Sequence, residues 1–489
     1  MPPGFSGLDF YYILPELILT GGALVLLVAE ALTPRRQGMP MWLALGTVVA
    51  TAVSLLSFWG VDATASRGLL AIDGFAFFFK LVFLVTAAIT ILMSVPYLKA
   101  EGIRAGEYYF LILCATLGMM FMASGVDLIT IFIGLETMAV SFYILVGFLK
   151  PSRRSNEAAV KYFLLGTFSL GILLYGMSLL YGLTGTTNLQ DIAASLAGQD
   201  RSPVLLLAVA LVVAGIGFKI AAVPFHMWAP DVYEGAPTPV TAYLSVGSKA
   251  ASFAMLLRIF WEGLSPVYED WWVLFYVLAV ITMTVGNIAA LTQSNLKRML
   301  AYSSIAHVGY VLIGVVVGTT RGVEAMLVYL ALYVFMQLGA FTIIALMRRQ
   351  DVIGDELKDL SGLYLRSPVA ALAMLFFMLS LGGIPPTAGF IGKVFLFGAA
   401  IEAGYIWLAV IAVVNSALSI YYYVRVVVFM WIKEDIIGSP VAVSPAMAVA
   451  LTIAVLGTVA LGVYPRFLID FAHISAQTLG VADAIALGP

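Results

Sequence analysis

Apolar residues run along this chain in blocks separated by short polar stretches, and blocks such as Val204–Phe218 and Tyr405–Val414 extend, with their flanks, to the roughly 20 residues a helix needs to cross hydrocarbon. The pattern predicts helices over 11–32, 40–59, 75–98, 107–124, 126–149, 158–182 and 203–223. Seven more are predicted over 238–262, 271–292, 299–318, 323–347, 369–400, 404–432 and 444–465. The twelfth carries Gly382-Gly383-Ile384-Pro385-Pro386 inside it and cannot be one straight helix, because proline removes a backbone donor and clashes with the preceding turn. The expected fold class is an all-α membrane protein of about fourteen spans.

No hydrophilic linker divides the chain, so 1–489 reads as one polytopic domain: three helices in 1–106, then 107–262, 271–432, and a last helix and tail in 444–489. The longest polar loops, 184–202 and 348–367, are too short to fold a separate catalytic domain, which puts any chemistry inside the bilayer. A faint repeat supports the division. Segment 7 reads Lys219-Ile-Ala-Ala-Val-Pro224-Phe225-His226, an apolar helix broken by proline near a lysine, and segment 12 repeats the plan with Pro385, Pro386 and Lys393. An odd separation of five helices gives the two opposite orientations, so helices 4–8 and 9–13 are expected to be inverted five-helix repeats with broken helices 7 and 12.

Composition agrees: 62% of residues are apolar and 11% charged, too little polar surface to disperse a chain of this length in water. Where the basic residues fall then sets orientation. One set of alternate loops holds Arg35, Arg36, Lys99, Arg104, Lys150, Arg153, Arg154, Lys297, Arg298, Arg348, Arg349, Lys358, Arg366 and Lys433, while the other holds little beyond Arg67, Arg201, Arg321 and Arg466. The positive-inside rule makes the first set cytoplasmic and puts both termini on the far side of a bacterial inner membrane. The stretch 226–237 has few basic residues and is rich in Trp, Pro and Asp, so it is expected to lie as a loop against the membrane. Basic residues begin only at Arg35, after the first apolar segment, so the n-region of a signal peptide is not expected. A net charge of −2 argues against a nucleic-acid surface. The single Cys114 can form no internal disulfide.

Four ionisable side chains interrupt apolar segments: Glu136, Lys219, Lys249 and Lys393. Each costs roughly 2.5–3.5 kcal/mol to insert at the bilayer centre, so each needs a partner or water. The bland reading is that they only tie helices together; intramembrane charges more often line a path. Pro224 cannot donate to the carbonyl of Ile220, which leaves an acceptor beside Lys219. His226, seven residues beyond Lys219, falls two turns along the same face, a candidate for proton uptake or an interfacial histidine. Lys249 sits among Ser245, Gly247, Ser248 and Ser252, small residues that allow close helix approach. Lys393 follows the Pro385-Pro386 break and could cap the freed carbonyls of Leu381 and Gly382 without moving anything. His307, after Tyr302-Ser303-Ser304, adds a titratable group and hydroxyls. Lys80, Arg258, Glu324, Glu402 and Arg425 lie nearer helix ends and read as flank charges.

No Gly-rich phosphate loop, Cys-x-x-Cys, His-Glu-x-x-His or Gly-x-Ser-x-Gly occurs, so no cofactor is expected in this chain. Gly314-x-x-x-Gly318 is a helix-packing signal at best.

The stretch Phe218-Lys219…Pro224-Phe225-His226-x-Trp228-x-Pro230-Asp231-x-Tyr233-Glu234-Gly235-Ala236-Pro237-Thr238-Pro239-Val240 resembles the signature of the antiporter-like membrane subunits of respiratory complex I and of multi-subunit sodium/proton antiporters. The Tyr-Glu-Gly form, the early Leu-Pro15-Glu16-Leu and the length resemble the subunit N branch of NADH-quinone oxidoreductase. The resemblance implies proton translocation through Glu136 of helix 5, Lys219 of helix 7, Lys249 of helix 8 and Lys393 of helix 12. It implies as partners the other membrane subunits of complex I, neighbouring antiporter-like subunits among them, and lipid, with quinone and NADH handled elsewhere. The longer relatives carry a lateral C-terminal helix, which is not expected here.

The expected mechanism is a buried wire Glu136–Lys219–Lys249–His307–Lys393, driven by opening and closing of the Glu136–Lys219 pair. At ~4 Å and an effective dielectric near 20, closing that pair is worth about 4 kcal/mol. Two other readings compete: a sodium/proton antiporter subunit of the same fold, and a scaffold whose charges only lock helices. A quinone-reducing enzyme has the least support in the residues.

Overall fold

Helices form wherever the apolar blocks predict them. The computed structural model describes residues 7–33, 38–103, 106–198, 201–348, 354–433 and 443–479; Arg35, Arg36, Arg104, Arg349 and the tail from 480 lie outside them. Thirteen helices among the described residues are long and apolar enough to span a membrane. In chain order the first half comprises α1 (Gly7–Tyr12), α2 (Leu14–Leu32), α3 (Met39–Leu56), α4 (Gly74–Ala100), α5 (Gly106–Ser124), α6 (Leu128–Val146), α7 (Arg153–Thr184), α8 (Leu189–Leu196), α9 (Pro203–Ile220) and α10 (Trp228–Gly235). The second half begins with α11 (Thr238–Gly263), which includes two π-helical stretches, and continues through α12 (Tyr268–Leu291), α13 (Leu296–Val317) and α14 (Thr320–Leu346). It ends with α15 (Pro368–Gly382), α16 (Ala388–Glu402), α17 (Ile406–Trp431), α18 (Pro445–Val463) and the short α19 (Arg466–Gln477).

The predicted segment missing from these thirteen is the twelfth, the broken one: α15 and α16 are its two halves. Gly383, at φ +81°, closes α15 in the left-handed conformation that glycine adopts without steric cost. Segment 7 breaks as well, and here the sequence reading needs correction. α9 stops at Ile220, Ala221 turns left-handed, and the chain resumes as α10. The stretch 226–237 is therefore not a loop against the membrane, since Trp228, Val232 and Tyr233 are buried. Proline-interrupted backbone inside the bundle needs partners. The Trp228 indole donates to the Phe218 carbonyl at 2.9 Å, and Val223 N–H donates to the Thr282 hydroxyl at 2.9 Å.

Burial separates the helices into a centre and a rim. The most apolar stretch of α11 is buried throughout, and 94% of that of α13 and α14 is buried. The same share is 28% for α2 and 33% for α7 and α18. Lys249 and His307 thus lie on the helices farthest from lipid. Packing between helices follows the membrane rule that small residues let backbones approach. A Cβ on Gly134 of α6 would meet the Gly118 carbonyl of α5 at 2.8 Å, and one on Gly309 of α13 would meet backbone N of Met283 in α12 at 2.4 Å.

Three charges expected at helix flanks are interior. Lys80 pairs with Glu16 at 2.6 Å, each side chain 4% exposed. Arg258 is 1% exposed, pairs with Asp73 at 2.8 Å and with Glu262, and donates through Nε to the Ala123 carbonyl at 2.9 Å. Glu324 accepts from Arg321 at 2.8 Å and contacts His473 of α19 at 3.1 Å. The reason lies in what covers the helix ends: Asp73 caps α4 directly after the hairpin of β1 (Ala63–Ala65) and β2 (Leu70–Ile72), and α19 lies across α4 and α14. A residue near a helix end is exposed only where nothing folds over that end. Glu402, by contrast, is exposed as expected.

Candidate functional site: a buried line of lysine, histidine and hydroxyl groups

Asp127 starts the first functional helix. Its carboxylate accepts from Ile129 N–H at 2.8 Å and from Thr130 N–H at 3.3 Å, fixing the first turn of α6. Glu136 follows nine residues later, about 13.5 Å into the helix and near mid-membrane. It is only half-buried, and its helix neighbours Ile133 and Val140 are exposed. Lys219, the penultimate residue of α9, is buried beside the break, its ammonium 5.9 Å from the centre of the Tyr143 ring. The expected Glu136–Lys219 pair is not closed: Oε1 of Glu136 and Nζ of Lys219 are both buried without a hydrogen-bond partner. His226 is not on the Lys219 face as helical spacing implied, because the helix ends at Ile220; its imidazole lies in the turn, with Nδ1 buried and unpartnered.

From Lys249 onward, hydrogen bonds join Lys249 to Ser304 and Ser303 to His307 through Tyr423. Lys249 donates to Ser304 Oγ at 2.5 Å, and its ammonium stands 5.7 Å from the centre of the Tyr233 ring. Next to Ser304 on α13, Ser303 hydrogen-bonds the Tyr423 hydroxyl of α17. That hydroxyl also meets Nε2 of His307 at 3.0 Å, one helical turn above Ser303. Nδ1 of His307 bonds the Tyr329 hydroxyl of α14. His307 therefore engages two tyrosines from two helices and has both ring nitrogens occupied.

Lys393 is not joined to His307 by a hydrogen bond. Its ammonium donates to the carbonyls of Leu381 (3.2 Å) and Gly382 (3.0 Å), the groups that the Pro385-Pro386 break leaves without helical donors, and to Ser416 Oγ at 2.8 Å. It also faces the Tyr310 ring at 5.2 Å. The capping role weighed against transport is thus present. It does not exclude transport, since an ammonium held by carbonyls and a hydroxyl is still a proton donor.

Several buried polar atoms along this band have no protein partner: besides those of Glu136, Lys219 and His226, they include the hydroxyls of Tyr143, Tyr233 and Tyr333 and both amide atoms of Gln337. An unpaired buried polar atom costs about 1–3 kcal/mol, and native interiors keep few. A band of them spans several helices, and in a membrane such groups need protein or water as partners.

The sequence did not single out Tyr329, Tyr423 or Ser416, and marked Tyr233 only as part of the Tyr-Glu-Gly signature. In an apolar segment a tyrosine signals little beyond bulk, and only the fold shows which hydroxyl reaches which partner. The Tyr302-Ser303-Ser304 cluster was the one legible hint.

A discontinuous-helix bundle with lysines beside its breaks defines a class of membrane transport subunit. Residues 125–419 match the family described as NADH:quinone oxidoreductase/Mrp antiporter, TM. The chain is 48% identical over 508 aligned residues to NADH-quinone oxidoreductase subunit N 1 of Koribacter versatilis, covering 100% of this chain and 99% of that one. It is 46% identical to NADH-quinone oxidoreductase subunit N of Trichlorobacter lovleyi, covering 97% and 98%. Among solved structures, a chain of respiratory complex I from Thermus thermophilus with bound aureothin superposes with a TM-score of 0.80 at 33% identity, covering 93% and 98%. A chain of the Mrp complex from a Dietzia species shares the fold, with a TM-score of 0.83 at 24% identity over 97% and 98%. The chain belongs to the antiporter-like membrane subunits of the NADH:quinone oxidoreductase/Mrp family. Within that family its relatives are the subunit N proteins of NADH-quinone oxidoreductase.

Proposed function

We propose that this chain moves protons across the membrane through the line Lys249–Ser304–Ser303–Tyr423–His307–Lys393, coupled to redox chemistry carried by other subunits. The observation that carries the reading is the linkage around His307: a buried histidine joined on both nitrogens to hydroxyls, between two buried lysines. Proton transfer needs groups that can both give and take a proton within hydrogen-bond reach, and lysine, histidine and hydroxyl side chains provide them. Glu136 and Lys219 form a second, separate element. Unpaired and half-buried beside an exposed apolar face, Glu136 is placed to respond to a neighbouring membrane subunit, and the opening and closing of its pair with Lys219 would transmit that response. The two broken helices, α9–α10 and α15–α16, take equivalent places in two inverted repeats on this reading. The basic loops face the cytoplasm and both termini the opposite side.

The test is redox-driven proton pumping in membranes carrying Lys249→Ala, with assembly of the complex followed in parallel. Pumping is expected to fall by about a hundredfold, the lower range for loss of a positioned acid–base group. Unchanged pumping in an assembled complex would make the buried lysines structural ties and favour the scaffold reading.

A further inference from the structure

Lys297, counted above among the loop charges, is in fact 4% exposed at the start of α13. Its ammonium donates to the carbonyls of Glu234 (2.8 Å) and Ala236 (2.6 Å), where α10 ends. It forms part of the wall of a cavity of about 340 Å³ that also includes Glu101, Arg154, Glu234, Arg348 and Asp355. These residues come from the loops and helix ends of the basic face, so the cavity opens on the side read as cytoplasmic. It is polar, and its walls include acids and bases in equal number: Glu101, Glu234 and Asp355 against Arg154, Lys297 and Arg348. A cavity of this size holds on the order of ten waters.

Tyr233, the residue before Glu234, carries a buried hydroxyl with no partner, and its ring stands 5.7 Å from the Lys249 ammonium. On α13, Ser304 lies seven residues from Lys297, two turns along the same face and about 10.5 Å away, and receives the hydrogen bond of Lys249. Lys297 and Lys393 also share a chemistry. Each ammonium holds two carbonyls at the end of a half-helix next to a break.

We propose that Lys297 is the proton-uptake residue of this chain, taking protons from water in the cytoplasm-facing cavity and passing them by way of the Tyr233 hydroxyl to Lys249. The assignment rests on the transport reading above. The neutral Lys297 amine accepts a proton from cavity water, and the resulting ammonium releases one toward Tyr233. The tyrosine hydroxyl accepts one proton as it gives up its own to the neutral Lys249 amine and ends unchanged. No electrons move, and every proton taken from the cavity reaches Lys249.

The contrasting role is a charge that only ties α10 to α13. Lys297→Arg separates the two, because arginine keeps the charge and can donate to both carbonyls but does not release its proton. Membranes containing the assembled complex with Lys297→Arg are expected to pump about a hundredfold more slowly than wild type. Lys249→Ala is run beside it. Wild-type pumping in Lys297→Arg with lost pumping in Lys249→Ala would overturn the uptake assignment and leave the transport reading intact. Wild-type pumping in both would overturn both. Should Lys297→Arg not assemble, Thr238→Cys, at the same cavity in a Cys114→Ser background, is probed with a membrane-impermeant cationic thiol reagent from the cytoplasmic side. Labelling is expected; a protected thiol would overturn the assignment.

Discussion

Removing one oxygen atom should interrupt the line. In Tyr423→Phe the ring remains and the hydroxyl between Ser303 and His307 is lost. Ser303 and His307 are four residues apart on α13, so their backbones stand about 6 Å apart along the axis, whereas proton transfer needs heavy atoms about 2.6–3.2 Å apart. The variant leaves two buried groups short of a partner, at about 1–3 kcal/mol each, a cost a large bundle can absorb. Pumping is expected to fall by about a hundredfold while the complex still assembles.

The assay is the initial rate of NADH-driven acidification in sealed vesicles, divided by the amount of assembled complex. Tyr108→Phe is the matching control. Its hydroxyl is as deeply buried and hydrogen-bonds Ser94 at 2.9 Å, a residue outside the line. The control deletes the same atom at a similar stability cost, so its pumping should stay within a factor of about two of wild type. Wild-type pumping in Tyr423→Phe would refute the route, as would an equal loss in both variants.

Two further perturbations test the frame rather than the path. Asp73→Ala takes one of two acids from the buried Arg258, and breaking such a pair costs about 3–5 kcal/mol. Less of the chain should accumulate in membranes, measured by immunoblot, with pumping per assembled complex unchanged; normal accumulation would mean that Glu262 alone satisfies Arg258. Gly134→Leu drives a side chain into the Gly118 carbonyl and Met122 backbone of α5, an overpacking worth about 1–3 kcal/mol or more. The detergent-solubilised complex should lose thermal stability in a scanning melt, and an unshifted midpoint would show that α5 and α6 separate at little cost.

The line is built at the places where helix geometry fails. Lys393 sits where α15 has lost its next turn of donors, and Lys219 where α9 has. An α-helix leaves its last carbonyls without partners, and in a membrane those groups need a donor from protein or water. At Lys393 the lysine satisfies them and brings a proton donor to the same point, whereas the Lys219 ammonium has no such partner. On the proposed reading, stability and transport meet in Lys393, and its capping and relay roles describe one arrangement. Arginine at such a place would cap as well and transport nothing.

The sequence carried the helices because bilayer thickness leaves a periodic record: every span between Leu14 and Val463 falls within a few residues of an apolar block. It carried Glu136, Lys219, Lys249 and Lys393 because a charge in such a block is costly enough to mark itself. It did not carry the role of Lys297, which adjoins Arg298 near a polar turn and looks like any basic flank until α10 folds over it. Nor did it carry Arg258, whose partner Asp73 is 185 residues away. The same limit explains the misplaced His226. Helical spacing was carried across the Pro224 break and put it on the Lys219 face, but Val223 bonds to Thr282 in another helix, and that tertiary partner helps hold a turn there. Local pattern records what the bilayer demands of each segment; which buried group meets which is decided between segments, and the tyrosines of the proton line belong wholly to that second kind.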